Sequence, residues 1–177
     1  MGLKKNFIGI VQGRLTPSKT LQQFPRDPFK EFLLAKKIGY DFIELFTERK
    51  FNKKNPVWSN YGRKLLIKHS KKNNLLLYSL CDDHVILNGF NNKYLLYVER
   101  LLKFLNELKI NKFIIPLEGK AQINENNFKK ITLNLKKISQ ICSKNRIKYF
   151  LIESNIGFEV FNKIKKNLKK KKIILSL

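Results

Sequence analysis

The stretch 75-LLLYSLCDDH-84 reads as an apolar run of strand character that ends abruptly in two acids and a histidine. Runs of the same kind recur on both sides: 7-FIGIVQ-12 and 41-DFIEL-45 before it, then 112-KFIIPL-117, 147-IKYFLIE-153 and 172-KIILSL-177. Most of their starts lie roughly 34 to 37 residues apart, the spacing of βα units, and helical stretches fill the gaps. Repeated βα units build a parallel sheet, because right-handed crossovers return every strand in the same direction. Polar residues gather just after the strands: Gln12 and Arg14, Glu44, Asp82 to His84, Glu118 and Glu153. In a βα barrel that rim is where chemistry is done.

The chain of 177 residues is read as one domain, 1–177, with room for a sizeable core. A closed eight-stranded barrel typically needs about 250 residues. Six strands and five helices therefore suit either an open doubly wound sheet or an incomplete barrel of TIM type. The last run stops at Leu177, so the repeat reads as unfinished. No apolar stretch approaches the ~18 residues needed to cross a membrane. Residues 1–6 are polar and give no sign of a secretory signal, so the expected location is cytoplasmic.

The formal net charge of +24 invites a nucleic-acid reading. Against it, 31 of the 37 basic residues are lysine and six are arginine, whereas readers of bases and phosphates lean on arginine forks. The lysines spread over every helix beside many Asn, Ile and Phe residues. All four have A/T-rich codons, so a drift in base composition accounts for the bias without a partner. The densest cluster, 163-KIKKNLKKKKI-173, reads as a solvated helix face with a basic turn. Cys81 and Cys142 fall at a strand end and in an apolar helix, where thiols pack; no CxxC pair or histidine cluster suggests zinc.

Two loops stand out for length. The first, within 12-QGRLTPSKTLQQFPRDPFKEF-32, precedes a helix for which Asp27 is the expected N-cap, Pro28 the first helical residue and Gly39 the terminator. Glu31 completes that start. The second, 46-FTERKFNKKNPVWS-59, leads to a helix over 60–73 capped by Ser59. Further helices are expected near 92–109 (Leu95, Leu96, Val98, Leu102, Leu105 inward), 125–145 (Phe128, Ile131, Leu135, Ile138, Ile141 inward) and 157–169. Both long loops follow strands, while the return turns are short. That asymmetry belongs to α/β enzymes.

Among the strand-end residues, Glu153 closes an almost unbroken apolar run, where a carboxylate is costly to desolvate unless paired or bound to a cation. The alternative is a rim salt bridge. Glu44 follows the same logic, or else pairs inside the barrel with a lysine or Arg14. Asp83 and His84 are favoured over Asp82 for substrate contact, although an Asx turn would explain all three. Gln12-Gly13-Arg14 sits where the first strand opens; Gly13 allows a close backbone approach and Arg14 could hold an anion, or pair with Glu44. Trp58 lines a lid or packs over the second helix. His69, inside a lysine-rich helix, reads as surface. GxGxxG, Walker, GxSxG and HExxH motifs are absent from the sequence.

The succession QGRLTP, FPRDPFKEFLLAKKIGYDFIEL, NPVW, LYSLCDDH, FIIPLEG and FLIES resembles the xylose isomerase-like TIM barrels, and within them the sugar phosphate isomerase/epimerase group. The resemblance runs over essentially the whole chain. It implies a small sugar or sugar phosphate as ligand and a divalent metal (Mn, Mg, Zn or Co), with a strand-five carboxylate, here Glu153, as ligand and base. Gln12, Arg14, Glu44, Asp83 and His84 would then contact substrate. The remaining family ligands come from strands six to eight, and this sequence ends at 172-KIILSL-177. Three outcomes are accordingly open: a gene fragment, a part completed by another chain or in a homo-oligomer, or a degenerate stand-alone protein. Two rivals stand: an endonuclease of the same superfamily acting on abasic DNA, and a non-catalytic basic module binding nucleic acid.

Overall fold

The computed structural model describes residues 6–18, 24–168 and, as backbone, 173–176. Parts of the first long loop, the end of the lysine run and Leu177 lie outside the described residues. Six strands follow one another as β1 (Gly9–Val11), β2 (Phe42–Thr47), β3 (Leu76–Asp82), β4 (Lys112–Pro116), β5 (Tyr149–Glu153) and β6 (Ile173–Ser176). They form one sheet in which spatial order equals chain order, and every neighbouring pair is parallel. Helices α1 (Lys30–Ile38), α2 (Asn60–Asn73), α3 (His84–Asn88), α4 (Asn92–Glu107), α5 (Phe128–Lys144) and α6 (Phe158–Leu168) connect them. A βα-barrel-type sheet is what the strand spacing predicts. The expected five helices become six, because the short α3 rises where a turn was expected after β3.

Strand alternation sorts the side chains. Ile43, Leu45, Leu80, Phe113, Ile115, Phe150 and Ile152 face the helices and join one large buried core. From α4 come Tyr94, Val98, Leu101, Leu102 and Leu105, and from α5 come Ile131, Leu135, Ile138 and Cys142. Leu96, expected inward, is exposed instead. The opposite face carries a smaller apolar layer of Phe46, Cys81 and Ile114 with Phe24 and Leu151. Below it Phe42, Tyr78 and Tyr149 close the amino end of the sheet, with the Lys112 ammonium 3.1 Å from the centre of the Tyr78 ring. A bulge between Ile43 and Glu44 brings Glu44 opposite Ser79.

Helix α1 begins at Lys30 behind Phe29, two residues later than the expected start at Pro28, and Asp27 holds the turn that precedes it, whereas α2 starts behind Ser59 as expected. Asp27 Oδ1 accepts from Phe29 N at 3.1 Å and Lys30 N at 2.9 Å, and Ser59 Oγ accepts from Gly62 N at 2.9 Å. Gly39, at φ 99°, ends α1 in the left-handed region that glycine occupies without strain. His69, expected at the surface, packs instead, and Trp58 takes the packing alternative rather than the lid. His69 stacks on Phe29 with ring centres 4.9 Å apart, joining α2 to α1. Trp58 lies between Phe51, Tyr97 and Phe104 and is a packing residue of the β2–α2 loop. Arg63, almost buried, donates to Glu107 at 2.6 Å and to the Val57 carbonyl at 2.9 Å, tying that loop to α4.

Candidate functional site

The carboxyl ends of the strands open into a cleft of about 340 Å³ that gathers Gln12, Arg14, Glu44, Asp83 and Glu153 around it. Gln12 and Arg14 share the loop after β1, while Glu44, Asp83 and Glu153 come from three further βα units, and parallel register is what makes them meet. Arg49, Glu118 and Cys81 complete the polar part of the lining. Arg49 had no signal in the sequence beyond its place in a long loop. Glu118 and Cys81 ended strands but stood apart from the candidate set.

Gln12 is 1 % exposed, yet among the described residues neither its side-chain nitrogen nor its oxygen has a hydrogen-bond partner. Buried amides are almost always satisfied. An amide held open at the wall of a cleft is suited to a ligand hydroxyl or carbonyl. Its backbone is fixed by the bond from Gln12 N to the Glu44 carbonyl at 2.8 Å.

Glu44 accepts a short hydrogen bond from the Ser79 hydroxyl. Burial pushes its carboxyl above the ordinary value; the Ser79 bond opposes this, and Glu153 and Asp83 add to it. Burial likewise raises Asp83 to about 6, against the pull of Arg49 and with help from Asp82 and Glu153. The Cys81 thiol lies 3.8 Å from Asp83 Oδ1 and 3.9 Å from Glu153 Oε2. Its own burial, with these carboxylates, raises its pKa well above the ordinary thiol value. Glu153 itself is exposed at the mouth. The desolvation argument that singled it out therefore applies to Glu44 and Asp83 rather than to Glu153.

His84 does not line this cleft. It begins α3 with its ring stacked on Tyr97 at 4.4 Å, and Nδ1 is buried without a hydrogen-bond partner. Asp82 is fully buried and acts as a hub: Thr47 Oγ1 donates to it at 2.5 Å, Tyr94 at 2.6 Å and Tyr97 at 3.1 Å. Burial raises its carboxyl, and those hydroxyls work against the shift. Asp82 thus anchors the turn that presents Asp83.

A second buried carboxylate was read only as part of a helix start. Glu31 accepts from Gly13 N at 2.8 Å, Leu15 N at 3.0 Å and Thr16 N at 2.9 Å. It clamps the loop that carries Gln12 and Arg14. These partners lie 15 to 18 residues away, beyond the reach of any local capping pattern.

Among the described residues, no three His, Cys, Asp or Glu side chains gather in a way that could hold a metal ion. Glu44, Asp83 and Glu153 face a common space and repel one another, but they do not form a metal centre. None of the helices among the described residues is long and apolar enough to cross a membrane.

Fold and cleft together define a barrel-type βα protein with a polar site at the carboxyl ends of its strands. More particularly, the fold is similar to that of solved xylose isomerase-like TIM barrels. It superposes on a sugar phosphate isomerase/epimerase from Parabacteroides distasonis with a TM-score of 0.63 at 15% identity, covering 97% of this chain and 65% of that one. The D-psicose 3-epimerase of Clostridium cellulolyticum, solved with D-tagatose, gives 0.70 at 12% identity, covering 95% of this chain and 62% of the other. A family 2 AP endonuclease from Brucella melitensis gives 0.67 at 11%, covering 96% and 67%. This chain spans less than two thirds of the first two. No family model and no characterised protein matches it by sequence.

Proposed function

We propose that the cleft binds a small sugar or sugar phosphate and moves a proton at a carbon next to a carbonyl, the chemistry of an isomerase or epimerase. The observation that carries this reading is the meeting of Gln12, Arg14, Glu44, Asp83 and Glu153 around one cleft. Gln12 would hold a hydroxyl or carbonyl of the ligand. The Glu153 carboxylate would take the C–H proton, and the electron pair would pass to the carbonyl oxygen to give an enediolate. Arg14 and Arg49 would offset that charge. Asp83, raised to about 6, would return a proton as general acid when neutral. The likeness to epimerases of this fold supports the choice of substrate class.

A divalent ion belongs to this reading by resemblance to the family, and one related fold, from Mycobacterium smegmatis, was solved in complex with magnesium. The described residues do not form a metal centre, and the proton transfer is assigned to the chain's own carboxylates. The test is proton exchange: the full chain is incubated with D-fructose or its 6-phosphate in D2O, with and without Mn²⁺, and substrate deuteration is followed by NMR. Glu153→Gln is expected to slow exchange by about a hundredfold or more. Exchange that is unchanged in this variant, or absent altogether with no sugar binding, would sink the reading. Cleavage of an abasic duplex instead would favour the endonuclease, which shares the fold and for which a charge of +24 would be useful.

A further inference from the structure

Beside the acidic cleft lies a second hollow of about 870 Å³, framed by Arg49, Lys50, Lys53 and Lys54 of the β2–α2 loop. Arg49 lines both spaces. The loop's one acid, Glu48, is occupied by neutral groups: Asn52 Nδ2 donates to Oε1 at 2.5 Å and Asn55 Nδ2 donates to Oε2 at 3.0 Å. Asn55, 1 % exposed, also donates to the Phe46 carbonyl at 3.0 Å and accepts from Val57 N at 3.1 Å. The loop is thus held in shape by amides, and its cations are not spent on holding it. Among the described residues none of the four makes an ion pair, and the Arg49 Nε is buried without a hydrogen-bond partner.

The two spaces differ in charge. The cleft sets Glu44, Asp83, Glu118 and Glu153 against Arg14 and Arg49, while the hollow sets four cations against Glu48. A ligand with a hydroxylated, uncharged body and a dianionic end matches both, body in the cleft and anion in the hollow. A wholly neutral sugar leaves the hollow's cations unmatched. A wholly anionic polymer would have to run past four carboxylates.

We infer that the loop 49–54 is a phosphate subsite, and that the ligand of the cleft is a sugar phosphate monoester whose phosphate rests on Arg49, Lys50, Lys53 and Lys54. This rests on the sugar-binding reading above. Charge-assisted hydrogen bonds from Lys and Arg to phosphate are about twice as strong as neutral ones, and a dianion is served by several at once.

The experiment is calorimetric titration of the full chain with D-fructose 6-phosphate, D-fructose and inorganic phosphate, at low and at raised salt. It compares wild type, the triple variant K50Q/K53Q/K54Q, and a control triple K129Q/K130Q/K136Q on the exposed face of α5. The control changes net charge equally without touching the hollow, and circular dichroism melts establish that all three fold alike. In wild type the ester should bind about tenfold or more tighter than the free sugar, with an advantage that shrinks as salt rises. The loop triple should lose that advantage and keep its affinity for free fructose; the control triple should keep both.

Equal affinity of ester and sugar in wild type would overturn the subsite while leaving sugar binding intact. An advantage that survives the loop triple but vanishes in R14Q would move the phosphate to Arg14 and likewise overturn it. Failure of the free sugar and its ester alike to bind would remove the sugar reading and the subsite together. A single-stranded oligonucleotide that needs the loop lysines, while the ester gains nothing over the sugar, would replace the monoester with a nucleic-acid backbone.

Discussion

The Glu31 carboxylate, 1 % exposed, accepts the backbone N–H of Gly13 at 2.8 Å, so a residue of α1 fixes the loop opening the candidate site. Leu15 and Thr16 donate to its other oxygen. Gly13 has φ 96°, a conformation that other residues reach only with strain. The clamp and the glycine together turn the chain sharply after Gln12 and send Arg14 along the cleft wall.

Glu31→Gln replaces one of these oxygens by an amide nitrogen, which faces a backbone N–H instead of accepting from it. The expected cost is about 1–3 kcal/mol, the penalty for leaving buried donors unmatched. For a chain of this size each kcal/mol moves the melting midpoint by roughly 2–4 °C. Differential scanning calorimetry would read the shift, and an unchanged midpoint would show that the loop is held by other contacts.

Asp82 and Tyr94 form a coupled buried pair, since the phenol donates to Asp82 Oδ2 at 2.6 Å with both groups shut away from solvent. Removing the carboxylate strands the Tyr94 phenol, and removing the phenol leaves Asp82 with only Thr47 and Tyr97 as hydroxyl donors. In a double-mutant cycle of Asp82→Asn and Tyr94→Phe, the double variant should be less destabilised than the sum of the singles. The coupling should be about 0.5–3 kcal/mol, measured by urea unfolding. Simple additivity would mean that Thr47 and Tyr97 alone satisfy the carboxylate.

Asp83 titrates at about 6 in the folded protein, against an ordinary value of 3.8, chiefly because it is buried. The folded state therefore keeps a proton that the unfolded chain has already released. The stability this provides is complete below about pH 4 and is lost as pH rises through about 6. Over that window the melting temperature of wild type should fall relative to that of Asp83→Asn, which cannot titrate there. Parallel pH profiles for the two proteins would remove the assignment.

Much of this is legible in the sequence. Strands β2 to β5 fall within a residue or two of the apolar runs that announce them, because a parallel strand covered by helices on one face and by an inner apolar layer on the other is apolar over most of its length. Gln12, Glu44, Asp83 and Glu153 stood out because a polar residue interrupts each run where the sheet ends. Helix α3 escaped because five residues are too few to display a helical period. Arg49 escaped because loop residues follow no period, and only folding brings it against Asp83. Glu31 was read for its neighbours in sequence, whereas its partners come from the β1 loop. His84 was read as pointing with Asp83, but the helical turn that begins there directs its ring to Tyr97 instead.

The identity of spatial and chain order in the sheet bears on how the molecule is made. Each strand needs only the one just before it as a template, so no strand must wait for a distant segment to appear. Such nearest-neighbour topologies keep contact order low for a parallel sheet and favour vectorial assembly as the polypeptide leaves the ribosome. On this account β1 to β3 and their helices can dock while the later units are still being synthesised. The wall of the cleft carrying Gln12, Glu44 and Asp83 would then take shape first, and Glu153 would arrive last to close it.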